Sequence, residues 1–91
     1  MSKTSPTTTY TLLHPIEVSG ASVGVVTVRR PKVRDLEVME QAGSSAMARS
    51  VALLVNLCEL PPDTIRDLDG ADFTKLDDLV MGMLGKLPSR P

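Results

Sequence analysis

Glu59-Leu60-Pro61-Pro62-Asp63-Thr64-Ile65, followed by Leu68-Asp69-Gly70-Ala71-Asp72-Phe73 and a periodic run to Leu87, writes two helix starts back to back. Pro62 suits a first helical position, because the N–H it lacks is one that a helix leaves unpaired there anyway. Asp69 suits the cap of the next helix, with Asp72 three residues on, where a carboxylate meets the positive end of the helix dipole. Each start is also stapled: Leu60 can pack on Ile65, and Leu68 on Phe73, across the first turn. The clearest signals in the chain therefore specify packing, and they point toward a binding protein and away from an enzyme.

Working outward, the helix after Asp69 runs from about Gly70 to Leu87 and puts Phe73, Leu76, Val80, Met83 and Leu87 on one face, with Leu79 and Leu84 beside them. Gly82 and Gly85 weaken its end by about 1 kcal/mol each relative to Ala. Before the Pro-Pro break, Ser44 or Ser45 can cap a helix over about Ala46 to Glu59. Its residues Met47, Val51, Leu54 and Cys58 form a stripe that Leu53, Val55 and Leu57 widen. A helix apolar nearly all round is central to a core or covered by another chain. Upstream, Val33, Leu36 and Met39 recur at three-residue intervals and predict a short helix ending near Gly43.

The N-terminal third reads differently. Tyr10, Leu12, His14, Ile16 and Val18 alternate with Thr11, Leu13, Pro15 and Glu17, which predicts a strand over Tyr10 to Val18, with Pro15 at a sheet edge or a bend. Ser19-Gly20-Ala21-Ser22 reads as a turn and Val23 to Val28 as the return strand. The expected fold is α+β: an N-terminal β-hairpin followed by a small bundle of about three to four helices. Residues 1–9 read as a disordered leader, 10–87 as a single domain and 88–91 as a flexible tail.

Composition bounds the function. A chain of 91 residues makes one small domain, and with Tyr10 and Phe73 its only aromatics, the core falls to Leu, Val, Met and Ala. Residues 1–50 carry six basic and four acidic groups, net +2; residues 51–91 carry four and seven, net −3. Neither half has the basic excess of a dedicated nucleic-acid binder. The single Cys58 can form no internal disulfide, and no apolar run reaches the roughly 18 residues of a membrane span. No secretory signal is visible, so the reading is cytosolic.

Chemical sites fail one by one. A calcium loop centred on Gly70 would need carboxylates where Ile65 and Leu76 stand. Zinc would have only His14 and Cys58 as its imidazole and thiol. Ser44-Ser45 has no partner base, there is no phosphate-cradling glycine loop, and no cofactor or metal is expected. Arg29-Arg30-Pro31-Lys32-Val33-Arg34 is the only concentrated charge. It reads as a solvated strand end first, then as a contact for an acidic partner, and last as a phosphate contact.

The order of these elements resembles a known family. The junction Arg30-Pro31-Lys32-Val33-Arg34-Asp35-Leu36, the break Leu60-Pro61-Pro62 and the pattern Ile65, Leu68, Asp72, Leu76, Val80, Leu84 are similar to the tail assembly chaperones of contractile-tailed phages, of the P2-like and Mu-like kind. The resemblance runs from about Tyr10 to Leu87. Arg34 and Glu59 depart from it, standing where small residues, often Gly, are expected. The resemblance implies a protein without catalytic residues that binds the tape measure protein and keeps it soluble in the host bacterial cytoplasm while the tail assembles, then leaves, so that it is absent from the mature virion. It also implies a homo-oligomer and a possible frameshifted longer form of the same chain, with neither nucleic acid nor membrane as partner. The expected partner-binding residues are Val51, Leu54, Val55, Met83 and Leu84 on the helices, with Arg29 and Arg30 at the strand end. The alternative is a small nucleic-acid-binding regulator using the Arg29–Arg34 cluster; a structural virion or toxin–antitoxin-type module is a third reading.

Overall fold

The computed structural model describes residues 7–85. Strands β1 (Thr7–Val18) and β2 (Ala21–Arg29) form an antiparallel hairpin, followed by α1 (Val33–Gln41), α2 (Ala46–Cys58), α3 (Pro62–Arg66) and α4 (Gly70–Met83). The architecture is the expected α+β arrangement. The hairpin turns on Ser19 and Gly20, both at positive φ (52° and 83°), the backbone that matches the right-handed twist of two paired strands. One face of the sheet is covered, β2 by α2 and β1 by α4, while α1 packs along α2.

β1 begins at Thr7, so residues 7–9, expected within the leader, are strand: the β-branched Thr7, Thr8 and Thr9 pair with Arg29, Val28 and Thr27. Residues 1–6 of that leader lie outside the described chain. The strict alternation expected across β1 also breaks. Thr11 pairs with Val25 and Ile16 with Val23, so Leu12 to Pro15 stand opposite Gly24 alone. This bulge accommodates Pro15, which has no N–H to give a ladder. It leaves Leu12 in the core and turns Leu13 and His14 to solvent.

The helix starts form as their capping residues dictate. Ser45 Oγ accepts from the Ala48 N–H and Asp69 Oδ2 from the Ala71 N–H, and Pro62 opens α3. Ile65 and Leu68 are buried, with Leu60 and Phe73 packed against the same cluster, as the two staples require. α4 stops at Met83, earlier than expected, because Gly85 takes a left-handed φ of 77° and turns the chain. The expected helix end at Leu87 and the tail at 88–91 fall outside the described residues.

The core joins all layers through Leu12, Val26 and Val28 of the hairpin, Leu53, Leu54 and Leu57 of α2, Ile65 and Leu68 around α3, and Leu76 and Val80 of α4. Each fully buried aliphatic contributes about 1.5–3 kcal/mol of transfer free energy. α1 is the exception. The stripe expected of it is loose, with Val33 73% exposed, and its one buried side chain is Asp35.

Candidate functional site

α2 carries two apolar faces of different fate. Leu53, Leu54, Leu57 and Cys58 turn into the core, while Met47, Ala48, Val51, Ala52 and Val55 turn outward. The outward face is walled by Val38 of α1 and its C-cap Ala42 on one side and by Pro62, Arg66 and Phe73 on the other. The result is a groove of two adjoining hollows, of about 520 and 340 Å³, that share Met47, Val51 and Arg66. Met47 is 61% exposed and Val38 41% exposed on its rim. Among the described residues, Arg66 is the one charged residue lining either hollow, and its guanidinium sits 3.2 Å from Asp63.

Of the residues expected to bind a partner, Val51 and Val55 line this groove. Leu54 does not: it is fully buried, so the stripe Met47, Val51, Leu54, Cys58 divides between groove and core. Residues three and four apart are neighbours on a helix, and the hairpin covers the side that holds Leu54. Met83 packs on the core and Leu84 caps α4; neither lines the hollows. Val38, Ala42 and Phe73 were missed as groove residues. The signal available was Val38, an apolar residue off the stripe of α1.

Two cations of the basic cluster, Arg29 and Arg30, are committed to the fold. Arg29 donates from Nη1 and Nη2 to the two carboxylate oxygens of Asp35 at 2.8 and 2.9 Å, and its Nε lies 3.5 Å from Glu59. Arg30 Nη2 donates to the Met83 carbonyl at 3.1 Å, tying the strand end to the last turn of α4. Asp35 also accepts from the Lys32 N–H and from Asn56 Nδ2. The Arg29 bonds, aided by the Lys32 N–H and Asn56, outweigh the effect of burial and hold the Asp35 carboxyl at about 2. This network, together with Met39 packed on the core, fastens α1 to β2 and α2.

A second buried carboxylate, Asp72, accepts the Tyr10 hydroxyl at 2.9 Å and the N–H groups of Leu13 and His14 at 2.9 and 3.0 Å. Burial raises its proton affinity, yet the three donors together with nearby His14 prevail and hold it below the usual carboxylate range. It therefore does more than balance a helix dipole. It pairs the backbone donors that the β1 bulge releases.

Cys58 is buried, and burial pushes its thiol up to about 11, the behaviour of a core residue. His14 stands at the surface with Nε2 3.9 Å from Asp69. Among the described residues no group of His, Cys, Asp and Glu gathers to hold a metal ion, and no helix is long and apolar enough to cross a membrane.

The described chain is thus a hairpin packed on a short helical bundle, with an open apolar groove along α2. Residues 9–85 match the family described as phage tail assembly chaperone proteins, E, or 41 or 14. The chain belongs to this phage tail assembly chaperone family. No curated protein and no solved structure matches it.

Proposed function

We propose that the α2 groove binds apolar stretches of the tape measure protein and keeps that long helical chain soluble while the tail assembles. Family membership implies a tail-protein partner. The observation that carries the reading is the groove itself: an apolar strip on α2 with Met47, Val51 and Val55 along its floor and rim. A helix laid in such a strip buries one apolar face, and flexible Met side chains re-pack against different client sequences. Several copies on one elongated client gain by avidity, so individually weak contacts suffice. The role is non-catalytic, exercised in the host cytoplasm, and ends with release, so the protein is absent from the finished virion. A frameshifted longer form of the chain would present the same groove.

The test is co-expression with the longest reading frame downstream, scored by solubility and co-purification of its product. Wild-type protein is expected to keep that product soluble. Val38→Asp combined with Met47→Asp changes exposed positions, so stability should move by no more than about 1 kcal/mol, while solubilisation should be lost. A folded double variant that still solubilises the client would remove the groove from the mechanism. Leu54→Asp serves as the contrast, because a charge at that buried site should unfold the chain outright.

A further inference from the structure

The α2 groove is flanked by an arginine on either side. α1 runs antiparallel to α2, since Asp35 in its first turn meets Asn56 near the end of α2, while its C-cap Ala42 lies with Ser45 and Ala48 at the start. Residues four apart share a helix face, so Arg34 stands one turn from the groove residue Val38, toward the Asn56 end. Glu37 and Glu40, one and two residues from Val38, fall on other sides of α1. Arg34 is exposed and, among the described residues, makes no ion pair. Arg66 stands on the opposite wall and lines both hollows. Its partner Asp63 accepts from Nη1 alone, and the two side chains are 63% and 95% exposed. Such a pair is weak, and it leaves Nε and Nη2 without a hydrogen bond among the described residues. No carboxylate of the described residues lines either hollow.

We propose that the groove selects amphipathic helical segments that carry an Asp or Glu at the borders of their apolar face, with Arg66 and Arg34 as the residues that read this charge. The inference rests on the groove reading above and adds to it the chemistry of the segment bound. A helix lying along α2 with its apolar face on Met47, Val51 and Val55 brings the residues that border that face against the two walls. There a carboxylate meets Arg66 on one side and Arg34 on the other, and a guanidinium offers a carboxylate charge-assisted, bidentate bonds. A segment bordered by lysines sets like charges against both arginines, which rejects it. The thirteen residues of α2 span roughly 20 Å, room for three to four turns of a bound helix, so border residues on both sides come within reach of the two arginines. Neither side chain is needed by the core, in contrast to Arg29, which Asp35 consumes.

Three labelled peptides of about 18 residues, long enough to form a helix, test it by fluorescence anisotropy against the full chain. They share one Leu and Ala face and differ only in its border residues, which are Glu, Gln or Lys. Wild type is expected to bind the Glu peptide at least about threefold more tightly than the Gln peptide, and the Lys peptide most weakly. The spread should shrink as salt is raised. Arg34→Glu combined with Arg66→Glu changes two exposed positions, should leave the circular dichroism spectrum unchanged, and should reverse the order. Arg34→Lys combined with Arg66→Lys should keep it. A wild type without preference for the Glu peptide overturns the proposal, as does a folded double Glu variant that keeps the wild-type order. Val38→Asp combined with Met47→Asp separates the two levels of inference. Peptides bound without charge preference but weakened by this pair would remove the charge reading and leave the groove standing. Peptides bound as tightly by this pair as by wild type would remove the groove, and the charge reading with it.

Discussion

The Tyr10 hydroxyl donates to Asp72 Oδ1 at 2.9 Å across 62 positions of sequence, joining the first strand to the first turn of the last helix. The same carboxylate takes the Leu13 and His14 N–H groups. A bulge strips backbone donors of their strand partners, and a buried donor left alone is costly. Asp72 is thus the element that makes the bulge, and with it Pro15, compatible with a folded β1.

Asp72→Ala should therefore lower the melting temperature more than Tyr10→Phe does. The alanine leaves three donors without an acceptor, whereas the phenylalanine removes one donor and keeps the carboxylate on the backbone. Asp72→Asn, which retains one carbonyl oxygen, should fall between wild type and the alanine variant. Thermal melts of the three variants check the order, and an alanine variant as stable as wild type would contradict this role.

Asp35 carries a second prediction, in stability and in pH. Asp35→Ala strips Arg29 of its bidentate partner and should cost about 3 kcal/mol, the lower end for breaking a buried pair because Arg29 remains partly exposed. The folded carboxyl sits at about 2 against an ordinary 3.8. A depressed folded value means its contribution is complete above about 3.8 and is lost as pH falls toward 2. Urea melts at neutral pH and along the acid limb should show wild type losing more stability below pH 4 than Asp35→Asn does, the asparagine having no charge to neutralise.

Glu59 closes α2 at a left-handed φ of 56° with its side chain largely exposed. A side chain in that region costs roughly 1 kcal/mol, and glycine avoids the clash. The ion pair Glu59 would forfeit, at 3.5 Å from Arg29 Nε, is of the exposed kind worth a few tenths of a kcal/mol. Glu59→Gly should then be neutral to stabilising, by up to about 0.5–1 kcal/mol. Chemical denaturation measures the difference, and a clear loss of stability would show that the Arg29 contact outweighs the backbone strain.

The features legible in the sequence are those whose physics is local. Ser45, Pro62 and Asp69 mark helix starts because a cap or a proline acts on backbone groups two or three residues away. Ser19-Gly20 marks the hairpin for the same reason, and the order of elements was enough to suggest the family. Part of the candidate groove was also visible, in Val51 and Val55. Its walls were not, because Val38 and Phe73 reach α2 only after α1 and α4 have packed.

What the sequence by itself determined is the series of starts, stops and turns, and with them an α+β chain. Only the tertiary structure decided that Leu54 goes inside while Val51 and Val55 stay out, that Arg29 is consumed by Asp35, and that Asp72 serves a strand far away in the chain. The reason is that burial and long-range pairing depend on what comes to lie against a side chain. Two neighbouring apolar residues on a helix are equivalent until a hairpin covers one of them.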